Sequence, residues 1–292
     1  MAVRRSVLSV PGSSERMLAK APGLEADELV IDLEDAVVPA AKAKARQLVG
    51  DVLSGEGASF PTAVAVRVNS PTGPWGECDV VELAERVGPA IDSLVIPKVQ
   101  SAEDVIAVER LLERVGEPAG GIRLQALVET AAGLLRAGEI AAASPRLDAL
   151  IIGYADLGAS LGRAPGDAPE RWLYAQETVL VAARAAGLQA IDGPYLEIRD
   201  GEGLRRRAEH VRALGFDGKW AVHPGQLAII NATFTPLPEE LARAEAILAA
   251  LADAEGRGAC ELDGEMIDEA SRKLAQDVVA RGRAAGVQGG SG

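Results

Sequence analysis

Aromatic side chains are scarce: three Trp, three Tyr and three Phe serve 292 residues. So few rings leave no row on which sugars could stack. Cysteine is scarcer still. Cys78 and Cys260 are too few for a disulfide framework and lack metal-ligand spacing, so reduced thiols are expected. The only two histidines, His210 and His223, leave little room for a zinc cluster. Positive charge is in deficit, with 30 Lys and Arg against 43 Asp and Glu and a net charge of −13. That argues against a nucleic-acid groove. An anionic substrate then needs local positive charge, from a few arginines or from a metal ion. No stretch approaches ~20 uninterrupted apolar residues, and "MAVRRSVLSVPG" lacks the long apolar core of a signal peptide. A soluble, cytoplasmic protein with no membrane partner is expected.

What the chain does have is a recurring pattern. Eight short runs rich in Val, Ile and Leu alternate with helix-like stretches: residues 6–11, 28–35, 63–69, 93–99, 123–130, 149–156, 189–194 and 219–224. Continuously apolar strands alternating with amphipathic helices mean a parallel sheet buried on both faces. Eight units predict an α/β fold of the (β/α)8 TIM-barrel type, which takes ~250 residues. An open doubly wound sheet would show a glycine fingerprint after its first strand, and "PGSS" at 11–14 is not one.

The alternation stops at "TFTPLP", residues 233–238. The expected organisation is a catalytic barrel over 1–232 and a C-terminal helical extension, a lid, over 233–292. In that extension the sequence predicts a helix over 239–253, a loop over 255–264 and a second helix over 266–282. Met266, Ala270, Leu274 and Val278 recur every four residues as the second helix's apolar face. The tail "GVQGGSG" is expected to be disordered.

In such a barrel the active site lies where the C-terminal ends of the strands meet. Asp32, Glu34 and Asp35 end the second run, Arg67 and Asn69 the third, Lys98 the fourth, Glu129 the fifth, Asp156 the sixth, Asp192 the seventh and His223 the eighth. Asp or Asn at a strand end is often just the cap of the next helix. Arg67 and Glu129 are poor caps, and so many polar residues converging at once argue for a site. Glu129 and Asp156, on adjacent strands, repel each other unless a cation lies between them. Mg²⁺ suits such a pair, because it takes one or two protein carboxylates and completes its octahedron with water and substrate oxygens. The rival reading, a carboxylate pair for general acid/base chemistry, lacks sugar-stacking aromatics beside it. Arg67, across the mouth, offers a planar fork to a carboxylate or to an oxygen gaining charge.

The motifs "VLSVPGSSERMLAKA", "ADELVIDLEDAVVPAAKAKAR", "VAVRVN", "LVIPKV", "LQALVETAAGL", "IIGYADLGASLG", "AIDGPY" and "GFDGKWAVHPGQ" occur in that order. Together they resemble the HpcH/HpaI aldolase and citrate lyase β-subunit superfamily. The late stretch "GEMIDEASRKLA" is most similar to its malyl-CoA lyase-like branch of CoA-ester lyases. The resemblance runs from about residue 4 to residue 284. It implies a TIM barrel, dependence on Mg²⁺ with Mn²⁺ as a substitute, and a homotrimer or hexamer. It also implies reversible carbon–carbon cleavage of a 3-hydroxyacyl-CoA to a keto acid and an acyl-CoA. It puts the metal ligands at Glu129 and Asp156, the substrate arginine at Arg67 and the acid/base at Asp268. Arg16 and Lys20, four apart on one face of a helix that starts at a Gly-Ser-Ser turn, would hold the CoA phosphates, the alternative being an ordinary solvated face. Tyr154 departs from the proline or small residue of many relatives, which alters the pocket wall while leaving the ligand set intact.

The chemistry agrees. Breaking the C2–C3 bond of a malyl-CoA-like thioester gives a keto acid and an acyl-CoA enolate, so two developing charges need stabilising. Glu34 and Asp35 are expected to hold basic neighbours or metal-bound waters. For Lys98 a salt bridge is expected over a Schiff-base amine, and for His223 a structural role over metal ligation. Neighbouring readings are β-methylmalyl-, citramalyl- or citryl-CoA as substrate, a malyl-CoA thioesterase, and a CoA-independent aldolase. A citrate lyase β subunit acting within a larger complex, if catalytically silent, predicts a lost ligand, yet Arg67, Glu129 and Asp156 are all present.

Overall fold

A computed structural model describes residues 3–55, 60, 62–163, 169–254 and 258–287. Eight strands, β1 Ser6–Pro11, β2 Glu28–Asp32, β3 Ala63–Arg67, β4 Ser93–Ile96, β5 Arg123–Val128, β6 Leu147–Ile152, β7 Gln189–Asp192 and β8 Gly218–Ala221, close into one barrel in sequential order. Each pairs in parallel with its neighbours, and β1 closes on β8 through Val7 beside Trp220. β2, β4, β7 and β8 are buried at every position. This is why the runs read as continuously apolar rather than alternating. Val7, Val30, Ala65, Val95, Leu127, Ile151, Ile191 and Trp220 pack together as a buried core, one or more from every strand. Such branched, close-packed side chains make a barrel centre solid, not a pore.

The apolar runs overshoot the strands at their C-terminal ends. β2 stops at Asp32, β4 at Ile96 and β6 at Ile152. Glu34, Lys98 and Glu129 therefore stand in loops just beyond a strand, and Asp156 lies in the first turn of the helix Tyr154–Ser160 rather than on β6.

By internal contacts the chain divides into two compact units, Arg4–Asn231 and a unit running from Ala232 to the C-terminus. The second unit corrects three expectations. The segment expected as a loop, 255–264, carries the first strand and the turn of a hairpin, β9 Ala259–Leu262 against β10 Glu265–Asp268. Asp263 and Gly264 both have positive φ, 52° and 84°, as a two-residue hairpin turn requires. Met266 and Ile267 thus belong to a strand, and the last helix is Glu269–Ala284. Its buried face is Ala275, Val279 and Gly282, packed on Leu241 and Ala244 of the helix Pro238–Asp253, whereas Met266 and Leu274 are exposed by 76% and 69%. The small residues decide this: a Cβ at Gly282 would stand 3.1 Å from Leu241, so the helices meet where Gly and Ala permit. Tail residues 288–292 lie outside the described residues. No helix among the described residues is long and apolar enough to cross a membrane.

Candidate active site

A cavity of about 620 Å³ opens at the C-terminal end of the barrel. Asp32, Asp35, Arg67, Glu129, Asp156 and His223 all line it, and so do Arg16 and Lys20. Its apolar wall includes Leu127, Ile151 and Trp220.

Arg67 closes β3 and its guanidinium is gripped from β2. Nε donates to Asp32 Oδ1 at 2.8 Å and Nη2 to Asp32 Oδ2 at 2.6 Å, a bidentate pair between a half-buried arginine and a buried carboxylate. Nη1 lies 3.2 Å from Glu34 Oε2, and the Trp220 ring lies 5.9 Å from the guanidinium carbon. Burial opposes the charge on Arg67, but the hydrogen bonds and charges of Asp32, Glu34 and Asp35 outweigh it and keep the group ionised. Sequence reasoning placed Arg67 in the site and missed its holder. Asp32 also accepts the backbone N–H groups of Glu34 and Ala36, so one buried carboxylate organises both the arginine and the loop beside it.

Glu129 is 2% exposed. Its Oε1 accepts the Lys98 N–H at 2.7 Å. Burial, the largest cause, pushes its carboxyl up to about 8; the Lys98 N–H pulls it down and the Asp156 charge pushes it up again. Gly153 is what lets Glu129 sit there, because a Cβ at that position would come 2.4 Å from Glu129 Oε2. The signal was in "IIGYAD", a glycine ending a buried strand, which marks close approach.

Lys98 has a left-handed backbone, φ 53°, which few non-glycine residues adopt. It aims its N–H at Glu129, while Nζ binds Glu34 and lies 3.3 Å from Asp35 and 3.9 Å from Asp156. Burial lowers its affinity for a proton, but Glu34 and Asp35 outweigh that and hold the amine charged. A charged, ion-paired amine is no nucleophile, so the salt-bridge reading holds over the Schiff base. Burial raises Glu34. Asp35 is lowered against burial by its hydrogen bond with Glu34 and by Lys98 and Arg67. Both therefore hold basic neighbours.

Other strand-end residues serve the wall. His223 Nδ1 accepts the Gly225 N–H at 3.0 Å and caps a short turn. Asn69 is buried on Asp79 and the Leu33 carbonyl. Asp192, 1% exposed, pairs with Lys219 and accepts the Tyr154 hydroxyl. Burial first, then the Asp192 charge, raises that phenol well above its ordinary range and keeps it protonated. The Gly-Ser-Ser turn, which the sequence predicts to present free backbone N–H groups at a helix start, does not present them at Gly12 or Ser14. The Gly12 N–H is bonded to Asp32 O and the Ser14 N–H to Pro11 O, so neither is free for an anion. Arg16 and Lys20 themselves are exposed at the cavity. Asp268, in the C-terminal unit, caps the helix Glu269–Ala284, with Oδ1 accepting the N–H of Ala270 at 2.9 Å and of Ser271 at 3.1 Å. The Ser271 N–H, first among several such bonds, holds its carboxyl below the usual range.

The donor set fits Mg²⁺. Among the described residues no group of three or more His, Cys, Asp or Glu forms a closed cage. Glu129 and Asp156 line one cavity, and a buried carboxylate pushed up by burial and by its neighbour's charge calls for a cation beside it. Two carboxylates facing an open cavity would suit an ion that keeps water and substrate oxygens.

Known proteins are similar to this chain in sequence and fold. The L-malyl-CoA/β-methylmalyl-CoA lyase of Cereibacter sphaeroides is 36% identical over 94% of this chain and 93% of its own length. A (3S)-malyl-CoA thioesterase of the same organism is 41% identical over 98% of this chain and 97% of its own. Among solved structures, CitE from Mycobacterium tuberculosis in complex with magnesium, acetoacetate and coenzyme A superposes with a TM-score of 0.77 at 32% identity, covering 97% of this chain and 99% of that one. The model of the HpcH/HpaI aldolase/citrate lyase family matches residues 5–224. The chain belongs to the HpcH/HpaI aldolase/citrate lyase family and is an enzyme of that carbon–carbon lyase class.

Proposed function

We propose that the protein is a Mg²⁺-dependent CoA-ester lyase that reversibly cleaves a 3-hydroxyacyl-CoA of the malyl-CoA type to a keto acid and an acyl-CoA. The observation that carries this reading is a single cavity lined by the Glu129 and Asp156 carboxylates, the Asp32-held Arg67 fork, and the cations Arg16 and Lys20. The relatives named as malyl-CoA enzymes support the substrate class. Mg²⁺, with Mn²⁺ as a substitute, supplies Lewis acidity toward the keto-acid end of the substrate.

The chain's own groups do the rest. As the C3 hydroxyl gives up its proton to solvent and its oxygen becomes the keto acid's carbonyl, the electron pair of the C2–C3 bond passes to the thioester, and Arg67 Nη1 stabilises the enolate oxygen that results. Asp32 keeps that fork oriented before the charge develops, so no reorganisation is needed at the moment of cleavage. Asp268, of its own chain or of a neighbour in a trimer or hexamer, gives the α-carbon its proton. The Leu127, Ile151 and Trp220 wall excludes water from the barrel centre and strengthens both interactions.

Arg16 and Lys20 act far from the breaking bond, so they contribute equally to ground and transition states. Arg16→Ala and Lys20→Ala are each expected to raise KM for the thioester by roughly tenfold with kcat nearly unchanged. Initial rates across thioester concentrations check this, and unchanged KM in both variants would return the helix to an ordinary solvated face. The higher identity to a thioesterase favours one second reading, hydrolysis of the same thioester to malate and free CoA. Product analysis on malyl-, β-methylmalyl-, citramalyl- and citryl-CoA with Mg²⁺ tests both: a keto acid with an acyl-CoA supports the lyase, and a hydroxy acid with free CoA supports hydrolysis.

A further inference from the structure

The helix that carries Asp156, Tyr154–Ser160, is seven residues long and begins at Gly153 with no side-chain cap hydrogen bond. A short, uncapped first turn frays unless something else holds it. Asp156 is half-buried, and its contact with Lys98 Nζ, at 3.9 Å, is too long for a hydrogen bond. The turn's anchor is Tyr154. Its hydroxyl donates to Asp192 Oδ1 and accepts from Gln176 Nε2 at 2.7 Å. Asp192 is in turn held by Lys219 Nζ, which also donates to the Gly193 carbonyl at 2.7 Å. Gln176 lies on the long helix Leu173–Ala185. The tyrosine ring packs on Trp172, centroids 5.0 Å apart at 56°, and on Gly193, where a Cβ would stand 2.8 Å from Tyr154 Cδ2. Tyr154 borders the cavity, yet its polar atom is taken up by the wall.

We propose that Tyr154 is a positioning residue of the metal site: the Tyr154–Asp192–Lys219 chain locks the first turn of its helix and so holds Asp156 where it can share a divalent ion with Glu129. This inference rests on the Mg²⁺ reading above. Removing the hydroxyl leaves Asp192 and Gln176 each one buried partner short and frees the turn two residues before the ligand. Groups that orient a metal ligand without touching the ion typically change affinity 10–100-fold when lost.

The test is calorimetric titration of Mg²⁺ into metal-free wild type, Tyr154→Phe and Gln176→Met, with Tm measured alongside. Tyr154→Phe is expected to weaken Mg²⁺ binding by ~10-fold, and Gln176→Met by less in the same direction. At saturating Mg²⁺, kcat should return to about the wild-type value, with KM for the thioester unchanged. A lowered Tm with wild-type Mg²⁺ affinity in both variants would make the tyrosine merely structural and overturn the inference. A loss of turnover that Mg²⁺ does not restore would overturn it too, by placing the hydroxyl in the chemistry. Should Tyr154→Phe fail to fold, Gln176→Met decides alone. A wild type that binds no Mg²⁺ would remove the metal reading itself and this inference with it, whereas wild-type binding that both variants retain in full sinks the inference alone.

Discussion

Glu129→Ala and Asp156→Ala are each expected to abolish turnover and Mg²⁺ binding together. Mg²⁺ dehydrates reluctantly, and in the proposed site two protein carboxylates would hold it, so losing either leaves one. Glu129→Gln sharpens the point. The amide keeps an acceptor for the Lys98 N–H, which Glu129 Oε1 accepts at 2.7 Å, and stands in for the neutral carboxyl that burial, pushing Glu129 up to about 8, favours in the absence of the ion. A buried charge without its counter-ion costs stability. Metal-free Glu129→Gln should therefore melt no lower than metal-free wild type. Wild type should gain heat stability with Mg²⁺, by about 2.7 kcal/mol at a hundred times Kd, and the variant should gain none. Melting curves with and without Mg²⁺ check this. A variant that still gains stability, or wild type fully active in EDTA, would take the metal out of the mechanism.

Asp268→Asn is the second large effect, a fall in kcat of ~100-fold or more with folding, Mg²⁺ and thioester binding nearly intact. As an N-cap, Asp268 accepts two backbone N–H groups through Oδ1, and asparagine caps equally well. Stability is thus held constant while the ionisable group is lost. A carboxylate held below the usual range is a weak base toward an α-carbon, so its use demands an enolate already stabilised by Arg67 and a site shielded from water. In the cleavage direction it must carry the proton to be given. Single-turnover rates with equilibrium dialysis of the thioester separate binding from chemistry. If Asp268→Asn turns over like wild type, the residue is only a cap.

The barrel was legible because burial on both faces turns each strand into a short apolar run, and eight such runs leave little else to build. The strand ends were less legible. Hydrophobic pattern does not show where the parallel ladder stops, so Glu34, Lys98 and Asp156 read as strand residues although they stand beyond the ladders. The C-terminal unit misled periodicity in another way. Spacing by four picked out Met266 and Leu274, while close helix contact selected Val279 together with Ala275 and Gly282, two small residues that hydrophobicity ranks low. The hairpin did carry a signal, Asp263-Gly264 between short alternating runs, which the helical look of the flanking sequence obscured.

Within the site, the residue types were readable and their partnerships were not. Glu129, Asp156 and Arg67 line one cavity. That Asp32 grips Arg67, that Lys98 gives Glu129 its backbone N–H, and that Tyr154 reaches Asp192 depend on three-dimensional neighbours 31 to 38 residues apart. No local spacing rule covers such pairs.

The most direct measurement is product analysis of malyl-CoA incubated with the purified protein and Mg²⁺. Glyoxylate and acetyl-CoA in equal amounts, with free malate untouched, is the predicted result, because the thioester supplies both the enolate and the binding handles at Arg16 and Lys20. Malate and free CoA in place of glyoxylate and acetyl-CoA would contradict it.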